Sequence, residues 1–262
     1  MLTSRVLKSR LKVRRFTRAA EAGHPGAQYK LGDCYLKGLG VPKVTGTDNR
    51  AFVDRSVGIG WCERAAAQRH PEALLKLASV HLKGEVVEKD FAAAADHLRA
   101  AAAAGSTEAK VRLGLLLIEG VRVPRDLVAA VQLLESAATA TREGSGGRDE
   151  SSHGQSAAYA LARLSAGQFH DADGGVLRVD GDPMVWLAPL ADAGHAPAVA
   201  DVAIRYKLGD GVVVDFARSC EIAGKLGRGA GATAATAIPA SRSDQAAAMR
   251  VAPLLAACSE AY

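Results

Sequence analysis

A twelve-residue pattern recurs along this chain, and it limits the architecture more than any other feature. "AQYKLGDCYLKG" (27–38), "ALLKLASVHLKG" (73–84) and "AKVRLGLLLIEG" (109–120) share an alanine, a leucine four residues on, a small residue next and a closing glycine. Eight residues after the alanine stands a bulky side chain: Tyr35, His81 or Leu117. A fourth copy (198–209) keeps Ala198, Val202, Ala203, Tyr206 and Gly209, and a degraded one keeps Ala157, Leu161 and Ala162. Offsets of four, five and eight fall on one face of an α-helix. The small residue there (Gly32, Ala78, Gly114) admits a close neighbour. The last glycine (Gly38, Gly84, Gly120, Gly209) suits a left-handed helix stop.

A second helix is expected in each copy. Asp90, Asp126 and Asp215 each follow the closing glycine by six residues and are good N-caps. Seven residues beyond the aspartate comes a large side chain, as at Trp61 after Asp54, then His97, Leu133 and Ile222. Asp182-Pro183, leading to Trp186, marks the same start in another copy. The unit is therefore a helical hairpin, and hairpins that cannot bury a face alone must stack on their neighbours. The alanines that open the copies lie 46, 36, 48 and 41 residues apart. Insertions are expected near 43–53, 139–156 and 169–181, with polar, glycine-rich 139–156 a mobile loop.

Composition agrees with a helical reading. Hydrophobic residues make up 48% of 262 but aromatics only 5%, because alanine, the best helix former, supplies much of the apolar count. The expected class is all-α. No stretch is long and apolar enough to span a membrane. The net charge of +5 is uneven: Arg5, Lys8, Arg10, Lys12, Arg14, Arg15 and Arg18 stand in the first twenty residues without an acid, leaving 26 bases against 28 acids elsewhere. That is a basic arm, not a nucleic-acid footprint. Cys34, Cys62, Cys220 and Cys258 form no metal-binding spacing and are expected to be reduced thiols of an intracellular protein.

The pattern A-x3-LG-x2-Y-x2-G-x-GV…D-x6-W resembles the Sel-one-like repeat family, α/α solenoids related to tetratricopeptide repeats. Ala27, Leu31, Gly32, Tyr35, Gly38, Gly40, Val41, Asp54, Trp61, Ala65 and Ala66 carry the likeness, and Gly84, Gly114, Gly120, Trp186, Tyr206 and Gly209 repeat parts of it. It covers roughly residues 16–230. The resemblance implies a right-handed superhelical solenoid of about five hairpins whose concave surface binds proteins or peptides. "FTRAAEAGHPGA" (16–27) reads as the end of a second helix with no first helix before it.

The glycines at 38 and 40 follow a helix and lack a third glycine or a lysine–serine pair, so they are not a phosphate loop. His24, His70 and His195 recur at junctions beside prolines and read as boundary residues. His81 and His97 replace Tyr35 and Trp61 in their repeat and should face each other, as packed rings or as a metal-binding or titrating pair. No serine or cysteine has a base at a telling spacing, so no catalytic residue, metal or cofactor is expected. On the polar face of the first helices, Lys30, Asp33 and Lys37, then Lys76, Ser79 and Lys83, then Arg112 share a stripe. A ladder of cations there favours an acidic peptide or acidic partner surface.

The expectation is a monomeric protein-binding scaffold or adaptor, binding no nucleic acid, in the cytoplasm. Residues 1–18 form a basic arm or partial repeat helix, 19–230 the solenoid, and 231–262 a linker and capping helix. The alternatives are a hydrolase on the same superhelix, or a mitochondrial assembly factor targeted by the arm.

Overall fold

Prolines and aspartates start most helices of this protein, and glycines stop the α-helices that open the well-kept repeats. The computed structural model describes residues 4–42, 44–45, 51–142, 148–170 and 174–233, with side chains over 10–42, 53–140, 152–170 and 174–224. Among these, eleven α-helices and two short antiparallel strand pairs form. After α1 (Ser4–Glu21), α2 (Pro25–Lys37) pairs with α3 (Arg55–Ala67) and α4 (Pro71–Lys83) with α5 (Phe91–Ala103). Helices α6 (Thr107–Glu119) and α7 (Leu127–Arg142) follow in sequence. Then α8 (Arg148–Ser165) pairs with α9 (Met184–Asp192), and α10 (Ala196–Leu208) with α11 (Phe216–Thr233).

The termini use the predicted residues. Asp90 accepts from the Ala93 amide at 2.9 Å, Asp126 from Ala129 at 2.9 Å and Asp215 from Arg218 at 2.8 Å. Asp54 caps α3 through Ser56, whose amide and hydroxyl hold the Asp54 carboxyl below the usual carboxylate range. Gly38, Gly84, Gly120 and Gly209 all take the left-handed conformation after a first helix. His24, His70 and His195 are N-cap residues of α2, α4 and α10. Two of them meet a tyrosine of the preceding first helix: His70 stacks on Tyr29 with ring centres 5.5 Å apart, and His195 lies tilted against Tyr159 at 5.2 Å. At these two junctions the histidine is a packing residue.

Two compact units divide the chain, Met1–Ala130 and Val131–Tyr262. In the first, α1 packs on α2, and α2 through α6 pack each on the next. Helix α1 buries Val13 and Ala20 and lays Phe16 against the cluster around Leu31, so it behaves as the second helix of a hairpin, as 16–23 suggested. Where α2 crosses α3, a Cβ on Gly32 would lie 2.6 Å from Cys62 Sγ and 2.8 Å from the Gly58 carbonyl. Glycine is what lets these backbones meet. Above that crossing, Leu77 of α4 is buried against Ile59 and Cys62. In the second unit α8, α9, α10 and α11 pack in sequence. Buried polar groups here are bonded between helices: Tyr159 of α8 donates to Asp201 of α10 at 2.8 Å, and Ser219 of α11 to the Ala203 carbonyl of α10 at 2.7 Å.

The helical class holds, and the connections add local detail. The insertions after α2 and α8 hold two-residue strand pairs, β1 (Val44–Thr45) with β2 (Ala51–Phe52) and β3 (Phe169–His170) with β4 (Val176–Leu177). Much of 139–156 is helix, because α7 runs to Arg142 and α8 begins at Arg148; no proline interrupts either. Helix α11 crosses the expected boundary at 230 and reaches Thr233, while the expected capping helix near 243–262 lies outside the described residues.

Candidate functional site

The first helices of three successive hairpins, α2, α4 and α6, bring the expected polar stripe together. Lys37 Nζ lies 2.6 Å from Asp33 Oδ2, one turn earlier on α2. From α4, Lys76 Nζ reaches the other oxygen of Asp33 at 2.5 Å. Burial raises the Asp33 carboxyl, but the two ammonium groups outweigh it and hold the group below the usual carboxylate range. Lys30 pairs with Glu72 of α4 at 3.7 Å, and Arg112 with Glu108 one turn earlier on α6 at 2.6 Å.

Two adjoining cavities run along this face. One, of about 290 Å³, is lined by Tyr29, Glu72, Leu75, Lys76, Ser79, Glu108 and Arg112. The other, of about 200 Å³, shares Lys76 and Ser79 and adds Lys37, Lys83, Arg55 and Glu85 over Leu36, Val80 and Val86. All seven residues of the expected stripe lie here, since Lys30 and Asp33 pair with its lining residues. The sequence reading overlooked Glu72, Glu108, Tyr29 and Arg55. The two glutamates stand one position before the repeat alanine, four residues ahead of Lys76 and Arg112, which is a legible helix-pair spacing. The surface is a mixed-charge groove and not a bare ladder of cations. Burial chiefly, and then Glu72, push the Tyr29 phenol up to about 12, so it stays protonated as a donor.

The other candidates resolve differently. His81 and His97 do face each other, with ring centres 5.5 Å apart and planes 26° from parallel. Imidazole lone pairs lie in the ring plane, so stacked rings do not converge on one ion. No group of three or more histidine, cysteine or acidic side chains suits a metal among the described residues. Cys34 and Cys62 are free thiols. Burial pushes Cys62 up to about 12 and also raises Cys34, so both are poor nucleophiles at neutral pH. Cys220 is disulfide-bonded, which corrects the expectation of four reduced thiols; its partner lies outside the described residues.

Stacked helical hairpins with aspartate starts, glycine stops and a polar groove on their first helices define a helical repeat protein. More particularly, residues 25–70, 71–106 and 107–141 match the Sel1 repeat, each match spanning two successive helices. Sel1-repeat proteins are generally protein-interaction scaffolds and typically non-catalytic. Among solved structures, a protective antigen of uropathogenic Escherichia coli with an SLR fold aligns over 82% of this chain at 26% identity and a TM-score of 0.63. The chain spans 40% of that antigen's length. A Sel1 repeat protein from Oxalobacter formigenes aligns over 82% of this chain and 83% of its own at 20% identity, with a TM-score of 0.61. No curated protein matches the sequence. No helix among the described residues is long and apolar enough to cross a membrane.

Proposed function

We propose that this protein is a scaffold or adaptor, and that the groove on α2, α4 and α6 is where it holds a partner protein or peptide. The observation behind this reading is the meeting of Lys30, Asp33, Lys37, Lys76, Ser79, Lys83 and Arg112, from three consecutive repeats, on one open face. Exposed ion pairs such as Lys30–Glu72 and Arg112–Glu108 add little to stability. Their cost of exchange is correspondingly small, so an incoming peptide can take over one member of each pair. Stacked repeats supply a long surface of this kind without any cofactor. The protein acts as a monomer in this reading. The basic α1 packs on α2 through Val13, Phe16 and Ala20, which favours a packing role in the stack over a mitochondrial targeting role.

The test is affinity capture with the full chain and a K30E/K76E/R112E variant. Partners held by the wild type and absent from the variant, with an unchanged melting temperature, are the expected result. An identical partner list sinks the groove as the binding face.

A further inference from the structure

The two halves of the groove differ in charge. Around Tyr29 and Leu75, Lys30 and Arg112 are matched by Glu72 and Glu108. Around Leu36, cations prevail: Lys37 from α2, Arg55 from α3, and Lys76 and Lys83 from α4 line one cavity of about 200 Å³, with Glu85 its one acid and Asp33 beside it. Arg55 and Lys83 have no ion-pair partner among the described residues.

The helix dipole accounts for part of this and not for the rest. Lys37 and Lys83 end α2 and α4, where a cation is favoured for any purpose. Arg55 is the first residue of α3, where the helix dipole disfavours a cation, and the neighbouring N-cap Asp54 directs its carboxylate to Ser56 and forms no ion pair with Arg55. Asp33 meanwhile orders two of the lysines, holding both ammonium groups within 2.6 Å of its carboxylate. Each ammonium keeps two further donors, so the ordering cost that long side chains usually impose on binding is largely met before a ligand arrives. The floor is apolar. Leu36, Val80 and Val86 are half-buried against the cluster of Ile59, Cys62 and Leu77.

We infer that this cavity seats an acidic side chain of a partner protein, carried on an extended segment whose neighbouring apolar side chain lies on Leu36, Val80 and Val86. The inference rests on the scaffold reading and specifies the partner: a short acidic–apolar peptide. Charge complementarity selects the acid, and the apolar floor excludes a bare anion as the whole ligand.

The probe is a random-decapeptide phage library selected on the full-length chain, on an R55E/K83E variant and on a K30E/R112E variant. Melting curves confirm folding, and R55Q/K83Q replaces the reversal if that variant is unstable. The wild type is expected to enrich sequences pairing Asp or Glu with Leu, Ile, Val or Phe. A synthetic peptide from that pool should bind R55E/K83E at least about tenfold more weakly. Inorganic phosphate at millimolar concentration should not displace it at constant ionic strength. Three results overturn the inference: a wild-type pool without acid–apolar pairs, an acidic consensus that survives R55E/K83E, or full displacement by phosphate. If the pool is non-acidic yet lost in K30E/R112E, the acidic specificity fails while the scaffold reading stands.

Discussion

His81 and His97 fill positions that hold Tyr35 and Trp61 in the first repeat, and the difference is chemical as well as steric. Burial and the facing His81 both hold the His97 imidazole below its ordinary value, while Asp96 on the same helix and Glu63 on α3 pull the other way. His81 Nδ1 is buried with no hydrogen-bond partner. A base that is neutral in the native state and gains a proton on unfolding makes stability fall as pH drops through its unfolded pKa, near ~6.5. Above that value His97 contributes no pH dependence. The melting temperature should therefore decline as pH falls from about 6.5 to about 5, and His97→Phe, which keeps a stacked ring, should remove much of the decline. Superimposable wild-type and variant profiles would show that His97 does not carry it. That the rings meet was legible from their offsets in the repeat. That they stack was not, because ring orientation depends on how far α4 and α5 are rotated against each other.

The caps can be tested helix by helix. Asp90→Ala removes the bond to the Ala93 amide at the start of α5 and should cost about 1 kcal/mol. Gly84→Ala forces a side chain into a backbone with φ 67° and sets its Cβ against Lys89; a loss of about 1–2 kcal/mol is expected. Urea unfolding of each variant checks both, and an unchanged midpoint would mean that packing alone holds that helix end. Nearly all hairpin elements were legible in the sequence, since start, stop and apolar period coincide in every well-kept copy. The strand pairs were not. A two-residue ladder such as Val44–Thr45 with Ala51–Phe52 carries no alternation to read. The helical stretch 148–156 was missed because its polar, glycine-bearing composition resembles a loop, although helix α8 extends through it.

For the molecule as a whole, stacking makes each repeat depend mainly on its neighbours. Leu77 is 1% exposed and joins α4 to the Ile59 and Cys62 cluster of the preceding hairpin. Leu77→Ala should cost about 2–5 kcal/mol where it acts. Hydrogen exchange should accelerate in α2 through α5 and leave α10, in the other compact unit, comparatively protected. Equal acceleration in α10 would mean that the chain unfolds as one cooperative body instead. Among the expected site residues, the stripe of Lys30, Lys76 and Arg112 was legible because a helix fixes which offsets share a face. Its neutralisation by Glu72, Asp33 and Glu108 was only half legible. Glu108–Arg112 is an i,i+4 pair within one helix, but the same spacing at Glu72 and Lys76 is not used as a pair: Glu72 turns to Lys30 and Lys76 to Asp33.

The hairpin unit, its caps and the face each side chain occupies can be read from the residues alone, because they follow from helix geometry repeated at short range. Which charges meet, and where cations are left in excess, emerges with the packing of helix on helix. That depends on the register of α2 against α4, set by the Gly32–Gly58 crossing and by Leu77 on Ile59. Small residues and buried contacts fix it across an insertion whose length varies from copy to copy, and no local period records the result.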